Sequence, residues 1–239
     1  QSRSSAASDV YKRQFFKYLI LMGISLFLGT YLQQAALQYT NIANAAFFTV
    51  FYVPLVPILL FFIYSTKVHW SIWPSIGLCI IGVYLLSDFS NSEIMIGDAL
   101  VILCSLFWAL HIIFAGKFME KFNIPIFYAA LQAALVFTLS IFFATFLEEI
   151  VITKILMEYI SILYAGVLSG GIAFTLQMFA QKNIEETPAA IIYSLEGVFA
   201  TIAGWVILSQ ILNINNIIGC ILILIAVIFS QVSPTAKKL

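Results

Sequence analysis

The feature that most limits what this chain can fold into is a succession of apolar runs, each about as long as a bilayer is thick. A helix crossing the hydrocarbon core needs about 20 mostly apolar residues, with roughly 17 as a lower bound. Eight runs meet or approach that length: residues 15–37, 45–64, 72–87, 98–116, 124–147, 160–181, 189–209 and 214–232. The third is short and begins at Trp70, Trp73 and Pro74, a cluster that reads as an interfacial anchor followed by a helix start. The polar breaks between runs, such as Gln38–Asn44 and Lys182–Pro188, are too short to hold a soluble domain. Composition points the same way. Charged residues make up 9% of the chain and mean hydropathy is +1.04, whereas a soluble domain carries about 25% charged residues. Lipid must therefore solvate most of the surface, and the chain reads as an all-α integral membrane protein. A net charge of zero argues against a nucleic-acid partner.

Lysine placement orients the spans. With eight crossings, Lys17, Lys67, Lys117, Lys121, Lys182, Lys237 and Lys238 fall on one side, and Lys154 falls on the other. The positive-inside rule makes the lysine-rich side cytoplasmic, and the C-terminus with it. The opposite side carries Asp88, Glu93, Glu148, Glu149 and Glu158. Adding or removing one crossing would scramble the split.

Residues 1–14 differ from the rest. They are polar, Ser-rich and basic, lack the apolar core of a signal peptide, and give way abruptly to Phe15. The string SAASDVYKRQ looks like a translated adapter, so residues 1–14 are read as a non-native or disordered leader.

An internal repeat lies beneath the spans. At an offset of 144, Leu32-Gln33 falls on Leu176-Gln177, Asn41 on Glu185, and Ala45-Ala46 on Ala189-Ala190. At an offset of 142, Ile76-Gly77 falls on Ile218-Gly219. Each copy has a helix with a polar Gln tail, a short loop, an Ala-Ala-started helix and an Ile-Gly-started one. Spans one to three thus correspond to spans six to eight, and the repeat unit has five helices. Five is odd, so the copies should cross the membrane in opposite senses, the arrangement of many secondary transporters. Residues 15–87 would be three helices of a first copy, residues 98–232 a complete second copy, and residues 233–239 a cytoplasmic tail. Two further helices are expected before Phe15, ten in all, so the chain is read as N-terminally truncated.

Three stretches then bring a known family to mind. Gly97-Asp98-Ala99-Leu100 with Phe107-Trp108-Ala109 is similar to the opening helix of the second repeat in the drug/metabolite transporter superfamily, specifically proteins with the EamA-type domain. Ser194-Leu195-Glu196-Gly197-Val198-Phe199-Ala200 through Gly204-Trp205 resembles that family's SLEPVFA…GW stretch. Ile218–Ile223 resembles its closing helix, and with Asn44–Leu86 the likeness covers nearly everything after residue 15. Two positions depart from the pattern: Gly197 replaces the usual proline, and Ser209-Gln210 stands where Gly-Glu is common. The resemblance implies a ten-helix inner-membrane carrier of small metabolites, with both ends cytoplasmic.

Several polar residues inside the spans are candidates for a substrate cavity. Glu196 is the carboxylate read as lying well inside a span. A charged side chain at a helix centre costs about 2.5–3.5 kcal/mol to insert, so such a group usually faces a partner or a water-filled cavity. It could couple transport to a proton or substrate, or pin helix packing through hydrogen bonds. Gln33 and Gln34 lie deep in the first span, and Gln177 and Gln181 share one face of the sixth. They could line a cavity or join helices. Tyr52, Trp108, His111 and Tyr193 could stack on or hydrogen-bond a ligand, though such residues commonly serve packing. Pro54 and Pro57 should kink the second span. Gly197, Thr201 and Gly204 form a small-residue stripe suited to close helix approach, and Asp98 reads as an N-cap. Cys79, Cys104 and Cys220 suggest neither a disulfide framework nor a metal site.

The expectation is a secondary transporter moving a small organic metabolite or drug-like solute by alternating access. Its partners would be that solute and membrane lipid, with a homodimer left open and no cofactor or metal expected. A non-transporting receptor or assembly partner is the alternative. A membrane-embedded enzyme is disfavoured, because the sequence has no HExxH, GxSxG or paired intramembrane aspartates.

Overall fold

The structure is a computed structural model that describes residues 2–87, 95–209 and 211–232. Asp88, Glu93, Gln210, Lys237, Lys238 and the tail over 233–239 lie outside the described residues. The elements run α1 (Ser2–Ala36), α2 (Ile42–Thr49), α3 (Tyr52–Tyr64), α4 (Ile72–Leu86), α5 (Ile96–Phe122), α6 (Pro125–Leu147), α7 (Ile152–Met157) and α8 (Tyr159–Leu163). A π-helical stretch (Tyr164–Ala173) leads into α9 (Phe174–Gln181), followed by α10 (Glu186–Tyr193), α11 (Leu195–Leu208) and α12 (Ile214–Val232).

Among the described residues, seven stretches are long and apolar enough to cross a membrane: Ser8–Ala36, Ile42–Tyr64, Ile96–Phe122, Pro125–Leu147, Tyr159–Gln181, Glu186–Ile207 and Ile214–Val232. The remaining run of the sequence reading, the third, is α4, with 15 residues. At 1.5 Å per residue it is about 22 Å long, short of a core about 30 Å thick. Helix α1 begins at Ser2 and includes Ser2–Gln14. Extending an existing helix is far easier than starting one, and Tyr11 packs edge-on against Phe122 with ring centroids 4.9 Å apart.

The chain divides into two compact units, and the division falls inside α1 and α5. One unit comprises residues 1–27 and 114–183, the other residues 28–113 and 184–239. In the first, Phe118 stacks on Tyr128 with the rings 7° from parallel. The Tyr128 hydroxyl donates to the Tyr18 carbonyl at 3.0 Å, joining α6 to α1. A polar group buried in lipid needs such a partner.

The second unit holds a recurring geometry. Asn41 precedes α2 with φ −88° and ψ 163°, and Glu185 precedes α10 with φ −69° and ψ 158°. Both carbonyls accept at 3.0 Å from the amide four residues on, that of Ala45 or Ala189. Val50 and Ser194 then interrupt their spans with φ/ψ of −64°/−10° and −62°/−13°. Each accepts an i+3 bond, from Val53 at 2.9 Å and Gly197 at 3.2 Å. Ser65 and Ser209 end α3 and α11 in the left-handed region, at φ 55° and 53°. Every pair is 144 residues apart, as 185 − 41, 194 − 50 and 209 − 65.

The first interruption has a local cause. Pro54 has no N–H for the Val50 carbonyl, and its ring crowds that oxygen. The break therefore sits one turn before the prolines, and Pro57 lies inside α3. The second copy has Val198 where the first has Pro54, yet Ser194 adopts the same backbone as Val50.

Helices α4 and α12 make the closest approach in this unit. A Cβ on Gly82 would lie 2.9 Å from the Gly219 carbonyl oxygen, and one on Gly219 would lie 2.6 Å from that of Gly82. Gly82 also meets Ile223, and Gly219 meets Leu86. Asn216 Nδ2 donates to the Leu86 carbonyl at 3.4 Å. Rising numbers in α4 thus meet falling numbers in α12, so the pair is antiparallel. At the small-residue stripe of α11, a Cβ on Gly197 would have Leu86 Cδ1 at 3.5 Å as its nearest neighbour, and Thr201 pairs with Cys220 of α12.

Candidate functional site

Seven of the predicted cavity residues belong to the second unit, and most of them gather into two clusters. In the first cluster, α1 presents Gln33, half-buried, to α2 and α5. Its Nε2 donates to Thr49 Oγ1 at 3.4 Å, and its Oε1 accepts from Trp108 Nε1 at 3.2 Å. Thr49 in turn donates to the Ala45 carbonyl at 2.7 Å. His111, one turn beyond Trp108, is fully buried, with its ring edge-on to the indole at 6.1 Å. A chain of neutral hydrogen bonds thus runs across three helices. Gln34 is exposed, because the next residue of a helix turns about 100° away from Gln33.

The second cluster lies at the two helix interruptions. Tyr52 is the first residue of α3, Tyr193 the last of α10, and Glu196 the second of α11. Helix α3 packs against α10, and α4, which carries Cys79, packs against both α10 and α11. Glu196, Cys79 and Tyr193 lie within electrostatic reach of the Tyr52 hydroxyl. The Cys79 thiol pairs with Ser194. The hydroxyls of Tyr52, Tyr193 and Ser75 are buried without a hydrogen-bond partner among the described residues. Glu196 is accessible at the surface of the chain. Among the described residues its carboxylate makes neither an ion pair nor a hydrogen bond; the salt bridge there is Lys117 to Glu120.

Gln177 and Gln181 lie on α9 in the first unit, the former half-buried and the latter fully buried. Among the described residues no three His, Cys, Asp or Glu side chains group so as to hold a metal. A depression lined by Trp205, Ser209, Ile211, Leu212 and Ile217 contains none of the predicted residues.

Sequence reasoning missed a second intramembrane carboxylate. Asp98 is 2% exposed. It is not the N-cap but the third residue of α5, and its carboxylate reaches back to the Met95 amide at 2.7 Å. It also accepts from Asn44 Nδ2 at 2.9 Å and from the Thr40 hydroxyl. Asn41 caps α2 by accepting from the Asn44 amide at 2.7 Å. The signal was available: Asn41-x-x-Asn44 is a capping spacing, and an acid at the third helical position suits a capping box. Which donors would converge on that acid was not readable, since Thr40 and Asn44 are more than 50 residues from it. Ser75 and Ser194 were missed because nothing in their local sequence sets them apart from packing serines.

Comparisons with known proteins agree with these features. Residues 95–231 match the model of a family described as the EamA-like transporter family. Over 216 residues the chain is 35% identical to an uncharacterized transporter of Archaeoglobus fulgidus, covering 89% of this chain and 68% of the relative. It is 24% identical over 233 residues to an uncharacterized transporter of Clostridium kluyveri, covering 90% of this chain and 72% of that one. A protein of known crystal structure matches with a TM-score of 0.73 and 16% identity, over 89% of this chain and 76% of its own, a likeness of fold.

Proposed function

The chain belongs to the EamA-like transporter family, and from that premise we propose that it is a secondary transporter moving a small organic solute across the membrane by alternating access. One observation carries this reading: the same caps and interruptions recur at an offset of 144, while the matching helices α4 and α12 pack antiparallel. Copies that cross a membrane in opposite senses supply two exchangeable gates around one central site. The interrupted spans add support. An interruption frees backbone groups and places polar side chains at mid-membrane, which is tolerated where they line a cavity. Tyr52, Tyr193 and Glu196 sit at the interruptions and are the proposed core of the site. Gln33, Trp108 and His111 form a hydrogen-bonded and aromatic wall beside Thr49.

With α4 counted as an eighth crossing, the positive-inside rule puts the C-terminus in the cytoplasm, with the chain in a cell membrane. The test is counterflow in proteoliposomes. Unlabelled solute loaded inside should accelerate entry of the labelled solute several-fold, because a carrier returns faster loaded than empty. A receptor or a channel gives no such acceleration. Absence of uptake and counterflow across a broad panel of metabolites would refute the reading.

A further inference from the structure

We propose that the site at the two interruptions recognises a primary ammonium group, with Glu196 as its counter-ion and the Tyr52 and Tyr193 hydroxyl oxygens as its remaining acceptors. This rests on the transporter reading and names the substrate class of that same site.

Four observations lead there. First, Glu196 is a carboxylate within a membrane-crossing stretch that finds no cation and no donor among the described residues. An unpaired charge at that depth is disfavoured, and the compensating charge must come from outside the chain. Second, Glu196 is accessible, while Tyr52, within electrostatic reach of it, is 4% exposed, so the carboxylate can be approached beside buried phenolic groups. Third, the buried hydroxyls of Tyr52 and Tyr193 lack partners, although buried polar groups normally have them. Two unsatisfied phenols near one unsatisfied carboxylate are what a site looks like without its ligand. Fourth, the stoichiometry fits. An ammonium has three N–H donors and no acceptor; the carboxylate and two phenol oxygens supply three acceptors. The tyrosine rings also offer faces that attract a cation. An anionic solute would meet Glu196 with like charge, and a neutral alcohol would leave the carboxylate without a counter-ion.

Repeat symmetry accounts for the convergence. Tyr52 and Glu196 are 144 residues apart, as are Thr49 and Tyr193. Tyr52 and Glu196, corresponding positions of the two copies, come within electrostatic reach of each other, one copy contributing the phenol and the other the carboxylate. The site is asymmetric in chemistry though its frame is repeated.

The full chain in lipid nanodiscs is titrated by calorimetry with n-butylammonium, 1-butanol and butyrate, which share one carbon chain. The expected result is saturable binding of the ammonium at least about 10-fold tighter than the alcohol, with butyrate weakest. Glu196→Gln should abolish the preference. Tyr52→Phe and Tyr193→Phe should each weaken the ammonium by about 10-fold, the scale of one hydrogen bond to a charged group. The two Phe variants carry the test if Glu196→Gln does not fold. Equal affinity for ammonium and alcohol, or a preference that survives Glu196→Gln or both Phe substitutions, overturns the proposal. Saturable binding of butyrate or butanol in its place would reject the ammonium class and leave the transporter reading standing. If none of the probes binds, the ammonium class is rejected, and counterflow across the wider panel decides the transporter reading separately.

Discussion

Asp98 and Glu196 are carboxylates within membrane-crossing stretches of the same unit, and they are treated in opposite ways. Asp98 is buried and takes three donors, the Met95 amide, Asn44 Nδ2 and the Thr40 hydroxyl. These tie the start of α5 to the loop before α2 and to α2 itself. Glu196 is accessible and takes none among the described residues. The same functional group, at similar hydropathy, is a structural clamp in one place and an open valence in the other. Surroundings decide which: a satisfied carboxylate fixes the backbone around it, and an unsatisfied one is available to something that arrives.

The comparison can be broken by stability measurements, taken in order of expected effect. Asp98→Ala should be the most damaging. Three donors would lose a buried acceptor at about 1–3 kcal/mol each, so the thermal unfolding midpoint in detergent should drop by the equivalent of about 3 kcal/mol or more. A loss below about 1 kcal/mol would mean that water or other groups replace the carboxylate, and the clamp would be discarded.

Gly82→Ala comes next. The added methyl would meet Ile223 Cγ1 at 2.6 Å, and behind it the backbone, with the Gly219 carbonyl oxygen at 2.9 Å and the Ile223 amide nitrogen at 3.2 Å. A cost of about 1–3 kcal/mol is expected for such overpacking, whereas Gly197→Ala, facing only Leu86 Cδ1, should be tolerated. Equal effects at the two glycines would place the close helix contact elsewhere.

Trp108→Phe removes one donor from Gln33 and keeps the ring, so the loss should be about 0.6 kcal/mol, the average for an interhelical bond in a membrane. The midpoint is again the readout, and a loss several times larger would make the Gln33 chain a structural element like the Asp98 clamp. Glu196→Gln should be the smallest, within about 0.5 kcal/mol of the parent, while counterflow activity falls steeply. A Glu196→Gln protein as destabilised as Asp98→Ala would show that the carboxylate holds the fold together, and the contrast between the two acids would collapse.

How much of this was legible can be judged residue by residue. The apolar runs located the seven stretches that are long enough among the described residues, along with the shorter α4, because hydropathy over about 20 residues is a property of composition. The offset of 144 was readable from Leu32-Gln33 and Ala45-Ala46, and it pointed to positions where caps and interruptions recur. The prolines announced an interrupted second span, since a missing N–H is a covalent fact. The interruption at Ser194 was not announced, because no residue there forbids a helix.

Within the site, sequence identified Tyr52, Tyr193 and Glu196 as polar groups in lipid-crossing stretches without saying that they meet. Asp98 was recognised as a helix-start residue, and its partners Thr40 and Asn44 lie more than 50 residues away. The sequence by itself determined the solvent, the stretches apolar enough to cross and the identity of the groups that must be satisfied or left open. The tertiary structure decided which carboxylate found donors and which did not, where α4 and α12 touch, and that Gln177 and Gln181 fall in a different unit from the other candidates. Hydropathy and capping act over one helix or one turn, whereas hydrogen-bond satisfaction depends on which distant segments are brought within about 3 Å.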